Sequence, residues 1–131
     1  MNEITKYRPQ FPVLKQWQLD RQRSHMEYIT RLAIGAMGEQ SQMYRYIVFE
    51  VLDTMDSAMR LKTAYFVNGM PPEIEAVFQN LTSNYLRAME QIPTEACRYI
   101  LQVLQRASPE PDDGGLLGFV INAFFNRLYG K

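Results

Sequence analysis

The chain has 131 residues and a mass of 15.3 kDa; 47% of the residues are hydrophobic, 21% are charged, and 14 basic residues balance 14 acidic ones. This composition excludes disordered, collagen-like and disulfide-rich classes, and a pI of about 6.6 disfavours a polybasic nucleic-acid binder. A chain of this size can bury enough surface to fold without disulfides or a structural metal, so we expect one domain over residues 1–131.

The first predicted helix covers residues 12–37, because Pro12 is tolerated in a first turn and Gly35 or Gly38 can end it. One face of its later half consists of Ile29, Leu32, Ala33 and Ala36. Traced backward, the same face runs through His25, Arg21, Trp17 and Leu14. Polar side chains therefore interrupt the apolar stripe midway along this helix.

The second predicted helix covers residues 41–67, with Ser41 as its N-cap and Asn68–Gly69 as its stop. A continuous apolar stripe supports it: Tyr44, Ile47, Val48, Val51, Leu52, Met55, Ala58 and Met59. Residues 46–49 and 65–67 are rich in strand formers, so strands there are the competing prediction.

The third helix is predicted over residues 72–92, where apolar positions recur with three-four spacing. Pro93 ends it, and Thr94 with Glu95 can cap a fourth helix over 94–107. Residues 108–115 combine prolines, acidic residues and paired glycines, a pattern that predicts a flexible loop.

The fifth helix, predicted over residues 116–129, is apolar around most of its circumference. Its polar positions form one narrow row of Gly118, Asn122 and Asn126. Such a helix requires burial on several sides, which its own bundle, a partner chain or a lipid surface can provide. The predicted fold is all-α, with four or five helices in an antiparallel bundle and a strongly apolar C-terminal helix.

Charge is unevenly distributed along the chain. Residues 1–31 carry six basic and three acidic residues, whereas residues 32–92 carry four basic and seven acidic ones. The two regions can pair within one molecule, which we favour, or between two copies.

The sequence offers little for catalysis. Metal centres require several converging His, Cys or carboxylate ligands, and this chain has one histidine and one cysteine. Cys97 lies on the apolar side of its helix and is expected to be a buried core thiol. Neither a P-loop nor a dinucleotide-binding glycine pattern occurs. We therefore predict no enzymatic activity, no cofactor and no metal site.

The candidate binding residues lie on the first and last helices. Arg and Trp are common in interaction hot spots, and apolar or aromatic side chains suit a partner surface. The candidates are Trp17, Arg21, Arg23 and His25, together with Phe119, Phe124, Phe125, Leu128 and Tyr129. The alternative for the first group is an ordinary solvated helix face.

The function predicted from these features is that of a small, non-catalytic helical interaction or regulatory protein, adaptor-like, which binds another protein and self-associates. The N-terminus lacks the apolar stretch of a secretory signal, so a cytoplasmic location is expected. One alternative is membrane-surface association through Phe119, Phe124, Phe125 and Leu128, with Arg127 and Lys131 in water. The other is nucleic-acid binding through the basic first helix, which the neutral net charge disfavours.

Overall fold

A computed structural model describes residues 15–109 and 113–130, apart from the side chain of Gln40. The described chain is all-α, as predicted, and contains no strand. Its helices are α1 (Gln16–Ala36), α2 (Ser41–Ala64), α3 (Pro72–Met89), α4 (Thr94–Arg106) and α5 (Leu116–Tyr129), with a short 3-10 turn at Gly38–Gln40. The competing strands are excluded, because residues 46–49 lie inside α2 and residues 65–67 lie in the turns that follow it.

The predicted helix boundaries are largely confirmed. The bounds of α5 match the prediction, whereas α1, α2, α3 and α4 end one to three residues earlier than predicted. The predicted start of the first helix at Pro12 lies outside the described residues. The N-cap assigned to Ser41 is wrong: its φ of −57° and ψ of −35° are helical, because the 3-10 turn leads directly into α2.

The bundle has one continuous core. The helix pairs α1–α2, α2–α3, α1–α4 and α4–α5 pack against one another, and α5 contacts all four other helices. The largest completely buried side chains come from every helix and the α3–α4 connection: Ile29, Val48, Val51, Leu52, Met55, Met89, Ile92, Ile100, Leu104, Leu116, Val120 and Phe124. Cys97 is buried among them, as predicted. The apolar stripes read from the sequence therefore meet in the interior.

A polar network joins α1 to α2. Asp56 is 9% exposed and is the one buried charged residue among those described. Its Oδ1 accepts a hydrogen bond of 2.6 Å from Gln22 Nε2, and its Oδ2 pairs with Arg60 Nη2 at 3.0 Å. Because a buried carboxylate must be paired, these partners fix the carboxylate in the interface of the two helices.

Both ends of α5 are anchored by side chains. The Asp113 carboxylate accepts hydrogen bonds from the backbone N–H of Gly115, at 2.8 Å, and of Leu117, at 3.3 Å. Near the other end, Arg127 donates to the carbonyl oxygens of Met89 and Ile92, at 3.2 and 3.0 Å. Asp113 satisfies otherwise unpaired donors at the start of α5, and Arg127 satisfies acceptors where α3 ends.

Replacing Asp113 by Ala is expected to lower the free energy of unfolding by about 1 kcal/mol, the usual cost of losing a helix cap. Asp113→Asn keeps one acceptor oxygen and should lose less. Urea denaturation of each variant measures these changes. Asp53→Ala, at an exposed position of α2, serves as the control with a change within about 0.5 kcal/mol. Equal losses in Asp113→Ala and Asp53→Ala would contradict the capping role.

Candidate functional site

The predicted candidates on α1 do not form one surface. Trp17 is 56% exposed, and the Arg21 guanidinium lies 5.4 Å from its ring centroid. Both residues and His25 line a shallow cavity that also touches Thr63 and Gly114. Arg23 instead lines a separate cavity between α1 and α2. The structure thus brings three of these four residues together.

His25 is half-buried and packs against the start of α5. Its Nδ1 is buried and has no hydrogen-bond partner among the described residues. The side chain lies beside Asp113 and Leu117, at the start of α5. His25 is therefore part of the packing where α1 meets the beginning of the last helix.

The candidates on α5 divide between the core and the surface. Phe124 is 0% exposed, so its place in the candidate surface is corrected: it faces the interior and belongs to the core. Phe119 and Leu128 are half-buried against the core. Phe125 and Tyr129 are exposed and contact each other, with ring centroids 5.0 Å apart. Helical geometry explains the division, because Phe124 and Phe125 are separated by about 100° around the axis.

The exposed side of α5 borders a groove of about 1040 Å³, which we call the α2–α5 groove. One wall is the end of α2 and the turn after it, and the other is the segment from Gly114 to Phe125. The lining residues are Met59, Lys62, Thr63, Phe66, Val67, Gly114, Gly115, Gly118, Phe119, Ile121, Asn122 and Phe125. This groove is larger than the separate cavity between α1 and α2, and it is our candidate functional site.

The α2–α5 groove is apolar and carries one charge. Lys62 is the single charged residue of its lining, and Lys62 Nζ lies 5.3 Å from the centroid of the Phe119 ring. Phe66 and Val67 line the groove at the turn after α2, and 86% and 88% of their surfaces are exposed. Two fully solvated apolar side chains next to an apolar recess form a contiguous patch of the kind that marks interaction sites.

Gly118 is an exposed residue that lines the groove. It lies within α5, where glycine is about 0.5–1 kcal/mol less favourable than alanine. A Cβ built at this position would meet no heavy atom within 4 Å. The fold therefore gives no steric reason for glycine here, although a group entering the groove from outside could approach the backbone closely.

Sequence reasoning missed much of this site. It read residues 65–67 as the end of a helix or a strand and Gly118 as part of a polar row. The signal present in the sequence was Phe66 and Val67 just before the Asn68–Gly69 stop, where no further helical turn could cover them. Which side of α2 faces α5 depends on packing between helices, and the spacing of residues within one helix does not specify it.

Two findings concern the reactive side chains of the described residues. They contain no group of three or more His, Cys, Asp and Glu side chains placed to hold a metal ion. Burial raises the pKa of the Cys97 thiol, and the nearby Arg127 opposes that rise only in part. At neutral pH this thiol is therefore protonated and poorly nucleophilic.

Comparison with protein-family models finds no match, and comparisons with curated proteins and with solved structures find none either. Among the described residues, no helix has both the length and the apolar character needed to cross a bilayer.

Gly118→Ala is expected to raise the free energy of unfolding by about 0.5–1 kcal/mol, because the space is open and alanine favours the helix. Gly115→Ala is the contrasting variant. Gly115 has a φ of +85°, so alanine there should destabilise the fold by about 1 kcal/mol. Chemical denaturation distinguishes the two variants. Destabilisation by Gly118→Ala would contradict the open space around this position.

Proposed function

We propose that this protein is a non-catalytic helical interaction protein that binds another polypeptide through the α2–α5 groove. We further propose that a second copy of the chain occupies the groove. The observation that supports the proposal most is the exposed apolar pair Phe66–Val67 beside an apolar recess. A regulatory or adaptor role and a cytoplasmic location stay predictions from the sequence.

The chemistry of the groove favours a protein as its occupant. Its walls present Phe66, Phe119 and Phe125, and aromatic side chains are enriched in the central parts of protein interfaces. A groove with a single lysine offers only one charge to pair with a highly charged ligand. An apolar side chain entering the groove would remove aromatic surface from water on both sides, which is the main source of binding energy.

Self-association is favoured because a protrusion and a recess share one face. A two-fold interface uses the same patch on both subunits, so the patch must be self-complementary. Here the Phe66–Val67 turn can enter the groove of a second copy, while its own groove receives the turn of that copy. Each copy thereby buries the other's most exposed apolar pair.

One acidic residue lies near the Phe66–Val67 turn. Glu73 lies in the first turn of α3, just after the Phe66–Val67 turn, and close to Tyr65. Burial, and secondarily the charge of Glu73, raise the pKa of the Tyr65 phenol.

No observation favours the two alternatives over this proposal. Of the four residues assigned to a lipid-binding face, Phe124 is buried and Phe119 and Leu128 pack against the core. Arg127, assigned to the water side, donates to carbonyl oxygens of the bundle. For nucleic acid, the basic residues of α1 lie in two separate cavities rather than along one stripe.

The test is sedimentation equilibrium of the pure protein over a range of concentrations. The wild type should change from monomer to dimer as concentration rises. Replacing Phe66 and Val67 together by Ser should weaken the dimer by about 30-fold or more, the effect of losing a hot spot of 2 kcal/mol. The wild type and variant should have the same circular dichroism, because both side chains are solvated in the monomer.

Tyr46→Ser is the matched control, because Tyr46 is 83% exposed on α2 and does not line the groove. This variant should dimerise like the wild type. A wild type that stays monomeric at all concentrations would overturn the proposal. Equal weakening by Tyr46→Ser and by the double variant would place the interface elsewhere and would also overturn it.

A further inference from the structure

A second cavity, which we call the α1–α2 cavity, lies on a different part of the bundle and has a volume of about 790 Å³. It is lined by Arg23, Met26, Glu27, Thr30, Arg31, Ile34, Gly35, Arg45, Phe49, Asp53, Asp56 and Arg60. Apolar and charged side chains are combined here. Met26, Ile34 and Phe49 supply the apolar surface, whereas arginines come from both helices.

One of the arginines is held in a fixed position. Arg60 Nη2 lies 3.0 Å from Asp56 Oδ2, and Asp56 is held in turn by Gln22 at 2.6 Å. Arg60 Nε is buried and has no partner among the described residues. A guanidinium fixed on one side by a carboxylate and retaining unused donors is ready to bind a further acceptor.

The remaining three arginines form no close ion pair among the described residues. Arg23 and Arg31 each stand four residues from Glu27, but the described helix forms no ion pair at either spacing. The Arg45 guanidinium lies 5.6 Å from the centroid of the Phe49 ring. Four arginines face three carboxylates in the lining, and Asp56 is already engaged by Arg60 and Gln22. With the Arg60–Asp56 pair set aside, three arginines remain against Glu27 and Asp53, so the lining keeps a net charge of one positive unit.

We infer that the α1–α2 cavity binds a small organic anion in which a carboxylate or phosphate is joined to an apolar group. The anionic group pairs with the guanidinium forks of Arg31, Arg45 and Arg60, because planar guanidinium matches carboxylate and phosphate geometry. The apolar group covers Met26, Ile34 and Phe49. This inference is independent of the α2–α5 groove and of self-association.

The ligand classes can be separated by titrating the full chain with hexyl phosphate and hexanoate, and following backbone amide signals by NMR. Both probes should give saturable shifts confined to α1 and α2. Hexanol lacks the charge and inorganic phosphate lacks the apolar group, so each should bind at least about tenfold more weakly. Raising the salt concentration should weaken the binding of the anionic probes.

Arg31→Gln and Arg45→Gln are the informative variants, since both side chains are exposed. Each should weaken hexyl phosphate binding by about fivefold, the effect of losing an ion pair of 1 kcal/mol. Arg106→Gln changes an exposed arginine of α4 away from the cavity and is the control, with unchanged binding.

Three results would overturn the inference. The first is the absence of saturable shifts with either anionic probe at millimolar concentration. The second is equal weakening by Arg106→Gln and by the two cavity variants. The third is binding to vesicles of phosphatidylglycerol without binding to soluble hexyl phosphate, which would assign the arginines to a membrane surface instead of a small molecule.

Discussion

Burial of one side of α5 is the interaction on which the rest of the structure depends. Leu116, Val120 and Phe124 lie at successive turns of that side and are completely buried, and the helix contacts each of the other four. Asp113 fixes its start and Arg127 ties its end to α3. A short helix so apolar would not be stable in water alone, so its order and the closure of the core depend on each other.

The same constraint leaves part of the apolar surface uncovered. A helix can direct only part of its circumference toward the core, and the opposite side of α5 carries Gly118, Asn122, Phe125 and Tyr129. The end of α2 projects beside it, and the two together bound the α2–α5 groove. The five helices leave this apolar surface exposed, and we propose that a second copy of the chain covers it. The α1–α2 cavity differs because four arginines line it, and one of them, Arg60, is held by the buried carboxylate of Asp56.

The spacing of apolar residues was sufficient to predict the helices, but it did not predict the groove and the cavity that form between helices. The bounds of α5 and the burial of Cys97 follow from sequence spacing, because residues three and four apart share one face. Phe124 and Phe125 could not be assigned to core and surface in that way, since both lie on a helix that is apolar nearly all round. The importance of Phe66, Val67 and Lys62 arises from the approach of α2 to α5, which no spacing within one helix encodes.

Native-state hydrogen exchange of α5 tests the central claim most directly. If burial of α5 holds the bundle together, the amides of Val120 and Phe124 should exchange with the same opening free energy as those of Val51 and Met55 in α2. That common value should match the free energy of global unfolding from urea denaturation. Exchange of the α5 amides at a clearly lower free energy, while α2 stays protected, would show that α5 opens alone and would contradict the account.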